Sequence, residues 1–291
     1  MFEGAHTALI TPFRNNQIDE PALTRLIEEQ IAGGIAGIVP VGTTGESPTL
    51  NNAEHHRVIE LAVKVAKGRC LVIAGTGSNS TEEAINLTQE AEKAGADAAL
   101  LVAPYYNKPS QEGLYRHFKA IAAATSLKLV LYSIPGRSGI EIAVETVARL
   151  AKDAPNIVAI KEAGGSVDRV SKLRQALPDS FEILSGDDAL TLPFISAGAV
   201  GVISVASNLI PKEISEFVKA ALDGDTKTAL ARHEHWYPLF RDLFVETNPV
   251  PVKIALSLQG RIAPELRLPL CEMSAANTQK LTETLQALKL I

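Results

Sequence analysis

The sequence has 291 residues and is poor in several residue types, and these shortages exclude some classes of protein. It contains two cysteines and one tryptophan, and aromatic residues make up only 5% of the chain. Cys70 and Cys271 show no metal-ligand or redox spacing, so they predict neither a disulfide framework nor a zinc site. Two cysteines in a chain of this length suit a reducing compartment, and we interpret both as buried small apolar residues.

The chain also lacks an excess of positive charge and a long apolar run. Lysine and arginine number 28 against 33 acidic residues, which gives a formal net charge of −5. Without a basic field we expect no nucleic-acid partner, and an anionic substrate must be met by local cations. No segment approaches the roughly 18 apolar residues of a membrane span, and the first residues lack a signal-peptide pattern. We therefore expect a cytoplasmic protein with no membrane partner.

Short apolar runs are abundant, and they recur along the first two thirds of the chain. Most of them are continuous rather than alternating, which is typical of parallel strands that are covered on both faces. The eight predicted strands are residues 8–13, 35–41, 71–75, 98–103, 127–134, 157–160, 181–184 and 200–205.

Helical patterns separate these runs. Residues 21–32, 51–66 and 80–94 each place apolar side chains on one face, and the third begins after Ser80 and ends at Gly95, as helices prefer. Repeated strand and helix units predict a (β/α)8 TIM barrel. Four further helical segments (212–222, 226–244, 251–258 and 275–288) exceed what closing the barrel requires. We predict a barrel over residues 1–224 and a C-terminal helical extension over residues 225–291.

An open doubly wound sheet is the alternative architecture. Its usual phosphate loop has one candidate here, Gly75-Thr76-Gly77, which lacks the third glycine and the acidic residue at the expected distance. Dinucleotide binding is therefore not predicted.

Active sites of such barrels lie at the carboxyl ends of the strands. Lys161 directly follows the apolar run 157–160, so burial should lower its pKa and leave a neutral amine that can attack a carbonyl carbon to form an imine. Tyr132 ends the preceding strand, where a phenol can shuttle protons. The alternatives are a lysine that reaches solvent and a core tyrosine with a hydrogen-bonded hydroxyl. Three other lysines are weaker candidates: Lys108 lies in a loop, Lys128 at the start of a strand and Lys253 in a C-terminal helix.

Other polar residues follow the remaining strands. Thr43 and Thr44 lie in a glycine-flanked turn that suits a small carboxylate, and Glu46 is interpreted as a hydrogen-bonding partner of that turn. Asp187 and Asp188 are interpreted as helix N-cap residues rather than ligands of a divalent ion. No histidine or carboxylate spacing predicts a metal site.

Three motifs together resemble those of the dihydrodipicolinate synthase / N-acetylneuraminate lyase superfamily. They are GTTGE at residues 42–46, YSIPGR at residues 132–137 and IVAIKEA at residues 157–163. The resemblance covers essentially the whole chain and is strongest to the dihydrodipicolinate synthase branch. It implies a cofactor-free, metal-free lyase of lysine and diaminopimelate biosynthesis that condenses pyruvate with L-aspartate-4-semialdehyde and assembles as a homotetramer, a dimer of dimers.

The resemblance also implies residue roles. Lys161 forms the Schiff base with pyruvate, and Tyr132 relays protons through Thr44 and through Tyr106, which crosses a dimer interface. Thr43 and Thr44 hold the pyruvate carboxylate, and Arg137 binds that of the semialdehyde. Gly186 and the main-chain carbonyl of Ile203 line the pocket. One departure is Ser133, where the family usually has asparagine, and a shorter side chain there can loosen the turn that presents Arg137.

A second ligand site is implied for L-lysine as an inhibitor. The matching residues are Ser47, His55, Asn79, Glu83 and Tyr105. Asn52 and Pro48 depart from the residues common in relatives, histidine and alanine. The alternative interpretation is that Glu83 only stabilises the N-terminus of its helix and the other residues are ordinary surface positions.

Two other functions stay open at this point. A pyruvate lyase acting on a sugar acid, such as N-acetylneuraminate or a 2-keto-3-deoxy acid, would use the same lysine and tyrosine, but it needs neutral groups where Arg137 stands. A non-catalytic binding barrel would not need the intact set of Lys161, Tyr132, Thr44 and Tyr106.

Overall fold

A computed structural model describes all 291 residues and confirms the (β/α)8 barrel. Eight parallel strands close into a barrel, and a small antiparallel hairpin lies after the first of them. The strands are β1 (Gly4–Ala8), the hairpin strands β2 (Phe13–Arg14) and β3 (Gln17–Ile18), β4 (Gly37–Val39), β5 (Leu71–Gly75), β6 (Ala98–Val102), β7 (Lys128–Ser133), β8 (Ile157–Glu162), β9 (Glu182–Ser185) and β10 (Gly201–Ser204). Neighbours follow chain order around the barrel, and β1 pairs with both β4 and β10.

Helices surround the barrel and continue beyond it. Most predicted helix ends agree with the structure to within one or two residues. The α-helices are α1 (Glu20–Ala32), α2 (Asn52–Ala66), α3 (Thr81–Ala94), α4 (Gln111–Ala123), α5 (Pro135–Ser138), α6 (Val144–Asp153), α7 (Val167–Ala176), α8 (Thr191–Ser196), α9 (Pro211–Leu222), α10 (Thr226–Asp242), α11 (Val250–Leu258) and α12 (Ala275–Ala287).

The first predicted strand was wrong in position. We expected it at residues 8–13, but β1 ends at Ala8, and the apolar residues that follow form a buried loop. Pro12 has no N–H group to donate to a neighbouring strand, so this run cannot continue inside a sheet. The true strand was less evident because its buried His6 and Thr7 are polar. Nε2 of His6 pairs with the carbonyl of Phe2, and the Thr7 hydroxyl donates to Gln30, whereas Nδ1 of His6 has no partner.

Capping residues fix the helices next to the site. Asn51 and Glu54 form a reciprocal capping box at the start of α2. Ser80 accepts a hydrogen bond from the N–H of Glu83 at the start of α3, and Gly95 ends that helix in a left-handed conformation, as predicted.

The C-terminal helices pack on the barrel. Helix α10 packs against α9, and α12 packs against both α10 and α11. Helix α11 is almost entirely buried, and its apolar residues belong to the same core as the barrel strands. It therefore brings residues from the end of the chain close to the turn after β4. No helix has the length and apolar character needed to cross a membrane.

Candidate active site

A cavity of about 420 Å³ opens at the carboxyl ends of the barrel strands. It is lined by five of the predicted catalytic and substrate-binding residues, which come from three separate segments of the chain. These are Thr43, Thr44, Tyr132, Arg137 and Lys161. The parallel strands bring these residues to one end of the barrel, as the fold predicts.

Lys161 and Tyr132 lie side by side because β7 and β8 pair in register at these two residues. The Nζ atom of Lys161 lies 4.2 Å from the centre of the Tyr132 ring, and only 6% of Lys161 is exposed. Burial lowers the pKa of Lys161 to about 7, against the weaker opposing effect of Asp188. A large fraction of the side chain is therefore a neutral amine near pH 7, which is the form that attacks a carbonyl carbon.

Tyr132 is protonated under the same conditions. Burial raises the pKa of its phenol to about 12, while the positive charge of Arg137 and a hydrogen bond with Thr43 oppose this shift. The phenol can thus donate a proton beside the lysine amine. Its hydroxyl contact within this chain is with Thr43, whereas Thr44 is hydrogen-bonded to a different residue, Asn248.

Gly186 and Asp188 lie close to Lys161. A Cβ atom at Gly186 would lie 3.0 Å from Cε of Lys161 and 2.6 Å from Cβ of Ala163, so only glycine leaves the lysine its space. Asp188 is buried, and its Oδ2 accepts hydrogen bonds of 3.0 Å from the N–H groups of Val205 and Ala206. Burial raises the pKa of Asp188 to about 6, and its negative charge raises the pKa of Lys161.

The predicted N-cap role was wrong for both aspartates, because the N-cap position of α8 is Leu190, and Asp187 instead caps the turn before this helix. Its Oδ1 accepts hydrogen bonds from the N–H groups of Ala189 and Leu190 just before α8. Asp188 instead contacts the loop after β10. Sequence reasoning treated the two aspartates alike because their adjacency carries no information about which one turns inward.

The turn after β4 exposes hydrogen-bond donors to the cavity. The N–H groups of Gly45 and Glu46 bond to carbonyls within the turn, but those of Thr43 and Thr44 donate to no acceptor in the protein. Two free N–H groups and two hydroxyls suit a carboxylate. Glu46, which closes the turn in a left-handed conformation, forms a fully buried ion pair with Lys253 of α11.

Arg137 lies on the short helix α5 after β7. Its Nη2 atom donates a 2.9 Å hydrogen bond to the main-chain carbonyl of Asn248, which leaves its other N–H groups available to a ligand. Ser133 stands where the family usually has asparagine. Its hydroxyl accepts a 3.4 Å hydrogen bond from the N–H of Ile142. The hydroxyl of Ser138 lies 2.9 Å from the carbonyl of Ile134 and 2.7 Å from that of Ile140 and can donate its one hydrogen to either, so the turn that carries Arg137 has its own internal hydrogen bonding.

Four of the five residues predicted for lysine binding line the same cavity. These are Ser47, His55, Glu83 and Tyr105, and the departures Pro48 and Asn52 line it as well. His55 is buried and pairs through Nε2 with the carbonyl of Gly75 at 2.9 Å, and burial lowers its pKa. Glu83 accepts a hydrogen bond from Ser78, although Glu83 itself stays solvent-accessible.

The remaining predicted residues lie outside the cavity wall of this chain. Asn79 donates to the carbonyl of Tyr105 at 3.2 Å, and Ile203 is buried in β10 beside His6. Gly186 contacts Lys161 without lining the cavity. Tyr106 points into solvent with 90% of its surface exposed, and its backbone has a positive φ of 70°. No group of three or more metal-ligating side chains is present.

One residue of this site was missed by sequence reasoning. Asn248 lies between α10 and α11, is only 5% exposed, and contacts both Thr44 and Arg137. It follows no strand, and its partners are more than a hundred residues away in the chain, so no local pattern marked it.

The sequence and the fold are closely similar to those of known proteins. A 4-hydroxy-tetrahydrodipicolinate synthase of Sulfurihydrogenibium sp. (strain YO3AOP1) is 55% identical over 292 residues, which covers 100% of both chains. The structure of the 4-hydroxy-tetrahydrodipicolinate synthase of Methylacidiphilum fumariolicum SolV is 60% identical, with a TM-score of 0.99 over 99% of this chain and 96% of that one. A lysine-bound structure of the enzyme from Cyanidioschyzon merolae is 42% identical, with a TM-score of 0.96 over 100% and 99% of the two chains.

The sequence profile of the dihydrodipicolinate synthetase family matches residues 1–288, so the match spans both the barrel and the helices after it. Full-length identity above 50% and near-superposable folds agree with this match. The chain therefore belongs to the dihydrodipicolinate synthetase family.

Proposed function

We propose that this chain carries out the 4-hydroxy-tetrahydrodipicolinate synthase reaction through a Schiff base on Lys161. The activity is that of its full-length relatives, and the chain is accordingly a lyase of lysine and diaminopimelate biosynthesis. One observation carries the choice of residue: Lys161 is a buried amine with a pKa lowered to about 7, in a cavity beside a protonated tyrosine.

The first step is attack of the Lys161 amine on the ketone carbon of pyruvate. The C–N bond forms, a proton reaches the former carbonyl oxygen, and water leaves to give a protonated imine. Tyr132 is placed to supply and recover the proton. The free N–H groups and hydroxyls of Thr43 and Thr44 would bind the pyruvate carboxylate in the cavity that Lys161 also lines.

The second step joins the two substrates. The positive imine nitrogen withdraws electrons from the neighbouring methyl group, which loses a proton and becomes nucleophilic toward the aldehyde carbon of L-aspartate-4-semialdehyde. Arg137 would bind the carboxylate of this second substrate, since its remaining N–H groups are free at the cavity wall. A cation at this position suits a short anionic aldehyde better than the sugar acid of the rival lyases.

The test is a coupled assay with pyruvate and L-aspartate-4-semialdehyde, combined with borohydride reduction. Reduction of the pyruvate imine should leave a stable adduct, and peptide mapping should place it on Lys161. Lys161→Ala should lose both the adduct and the activity. An adduct on Lys108, Lys128 or Lys253, or full activity of the Lys161→Ala variant, would overturn the assignment.

We propose further that the chain works as a homotetramer, a dimer of dimers, in the cytoplasm. The exposed Tyr106 supports this assembly, because a large aromatic side chain held in solvent on a left-handed backbone is suited to a partner's site. Hydrogen bonds between Asn79, Tyr105 and Asn107 hold the loop that presents it. Residues 225–291 act in this proposal as an extension of the barrel, which supplies Asn248 and Lys253 to the site.

L-Lysine is proposed to inhibit by binding beside Glu83 in this cavity. The Cyanidioschyzon merolae relative was crystallised with lysine bound, and here the Glu83 carboxylate and the buried His55 face the same cavity. Millimolar lysine should inhibit the coupled assay, and Glu83→Thr should remove this inhibition. The matched control is Glu82→Thr, one residue earlier on the exposed face of α3. Full activity of the unmodified enzyme at high lysine would contradict the proposal.

A further inference from the structure

Asn248 connects the C-terminal extension to two residues of the proposed site. Its side-chain Nδ2 donates a 3.0 Å hydrogen bond to the hydroxyl oxygen of Thr44. Its main-chain carbonyl accepts a 2.9 Å hydrogen bond from Nη2 of Arg137. The residue is 5% exposed and does not itself line the cavity, so it contacts the site from behind.

The direction of the first hydrogen bond has a chemical consequence. An amide nitrogen can only donate, so the Thr44 oxygen is the acceptor in this contact. A threonine hydroxyl has one hydrogen, and that hydrogen is then left to point toward a different acceptor. Thr44 lines the cavity together with Lys161 and Tyr132, so a group inside the cavity can accept this hydrogen.

We propose that Asn248 is a positioning residue that sets the direction of the Thr44 hydroxyl, so that Thr44 donates its proton into the active-site cavity. This inference rests on the proposed function. Without the amide, the hydroxyl can rotate and donate elsewhere, and the donor that faces the pyruvate carboxylate or the tyrosine oxygen is lost part of the time.

The other oxygen of this amide supports a functional role. Oδ1 of Asn248 is buried and accepts no hydrogen bond from the protein. A buried acceptor without a partner is unusual and calls for an explanation other than packing. Here the amide is oriented so that its nitrogen donates to Thr44, and its oxygen is left without a donor.

The position of the amide is fixed by its surroundings. Five residues further along, the ammonium group of Lys253 pairs with the carboxylate of Glu46 in complete burial. The segment 248–253 therefore contacts the Thr44–Glu46 turn at both of its ends. These contacts hold Asn248 beside Thr44, whereas the hydroxyl hydrogen of Thr44 can turn about a single bond.

The test uses Asn248→Asp, which keeps the size of the side chain and the main-chain contact with Arg137. A carboxylate cannot donate, so the Thr44 hydroxyl would turn toward it and away from the cavity. We expect the rate of borohydride-trapped pyruvate adduct formation to fall about ten- to a hundredfold. The KM for the semialdehyde should change by less than about threefold, because the carbonyl contact with Arg137 is retained.

A double-mutant cycle with Thr44→Val separates this role from a general loss of structure. If Asn248 acts through the Thr44 hydroxyl, adding Asn248→Asp to Thr44→Val should lower the trapping rate by less than about twofold further. Asn248→Ala should give the same non-additive pattern, and it replaces Asn248→Asp in the cycle if the aspartate variant does not fold.

Two results would overturn the inference. If the Asn248→Asp variant forms the trapped pyruvate adduct at the wild-type rate, then Thr44 donates to residue 248 rather than accepting from it. Fully additive losses in the cycle would show that Asn248 acts independently of Thr44. Failure of the unmodified enzyme to trap pyruvate would instead refute the proposed function, so the two failures are distinguishable.

Discussion

Lys161 combines two properties that a surface lysine lacks. Burial in the barrel lowers its pKa to about 7, and the carboxylate of Asp188 keeps the pKa from falling further. A lysine in water has a pKa of about 10.4 and is almost entirely protonated near neutral pH. The environment of one side chain thus supplies much of what imine formation requires.

This pKa predicts the pH dependence of the first step. The ammonium form has no lone pair, so the trapping rate with pyruvate should fall about tenfold for each pH unit below 7 and level off above it. Tyr132 stays protonated over this range because its pKa is about 12. Single-turnover borohydride trapping between pH 5 and 9 measures the profile, and an inflection near 10 would show that the lysine is not perturbed.

Arg137 should act on one substrate only. Its removal takes away a charge-assisted contact worth about 1.5 to 3 kcal/mol, so Arg137→Ala should lower kcat/KM for the semialdehyde about ten- to a hundredfold. Trapping of pyruvate should be largely unchanged. Arg137→Lys keeps the charge without the planar fork and serves as the matched control. An equal fall in pyruvate trapping would identify Arg137 as a structural residue of the turn.

At the scale of elements, the turn after β4 depends on a helix from the other end of the chain. The Lys253 ammonium on α11 is completely buried against Glu46, lies 4.3 Å from the centre of the Phe13 ring, and has a pKa that burial lowers. The second carboxylate oxygen of Glu46 accepts from the N–H of Arg267 at 3.2 Å. These contacts hold Glu46 in its left-handed conformation and keep the two threonines in place.

Breaking this pair should destabilise the protein. Lys253→Met leaves a buried carboxylate without its partner, which typically costs about 3 to 5 kcal/mol of unfolding free energy. The double variant Glu46→Gln, Lys253→Met removes both charges and should recover most of this loss. Chemical denaturation measures the difference. Equal stability of the single and double variants would mean that the unpaired carboxylate is not the cause of the loss.

At the scale of the whole molecule, the site of one chain is incomplete if Tyr106 serves a neighbour. In the isolated chain this side chain is 90% exposed, whereas Lys161 and Tyr132 are buried in the barrel. The proposed relay therefore needs a second copy of the chain, in an interface related by twofold symmetry.

Mixing two inactive variants tests this arrangement. In a mixed dimer of Lys161→Ala and Tyr106→Phe, the protomer that keeps Lys161 would receive an intact Tyr106 from its partner. Co-assembled random mixtures should thus regain about a quarter of the wild-type activity, while each variant alone stays low. If Tyr106 acts within its own chain, no mixture gains activity. Sedimentation velocity should show a tetramer in the same samples.

The sequence alone determined the architecture of this protein and the candidates for its chemical centre. Continuous apolar runs separated by amphipathic helices predict the barrel, the rule that polar residues after the strands meet at one end makes Lys161, Tyr132 and Thr44 candidates, and the resemblance to the family implies their roles. These signals are local, since each depends on a few neighbouring residues. The first strand was misplaced because an apolar run outweighed the proline within it, while the true strand carries a buried histidine.

Only the tertiary structure decided which side chains support that centre. Asn248 and Thr44 are 204 residues apart, and Lys253 and Glu46 are 207 apart, yet each pair is in hydrogen-bonding contact inside the protein. Likewise, only the fold shows that Asp188 turns inward while Asp187 caps a turn. A buried polar group is stabilised by whichever partner the packing brings to it, and that partner leaves no periodicity or spacing in the sequence.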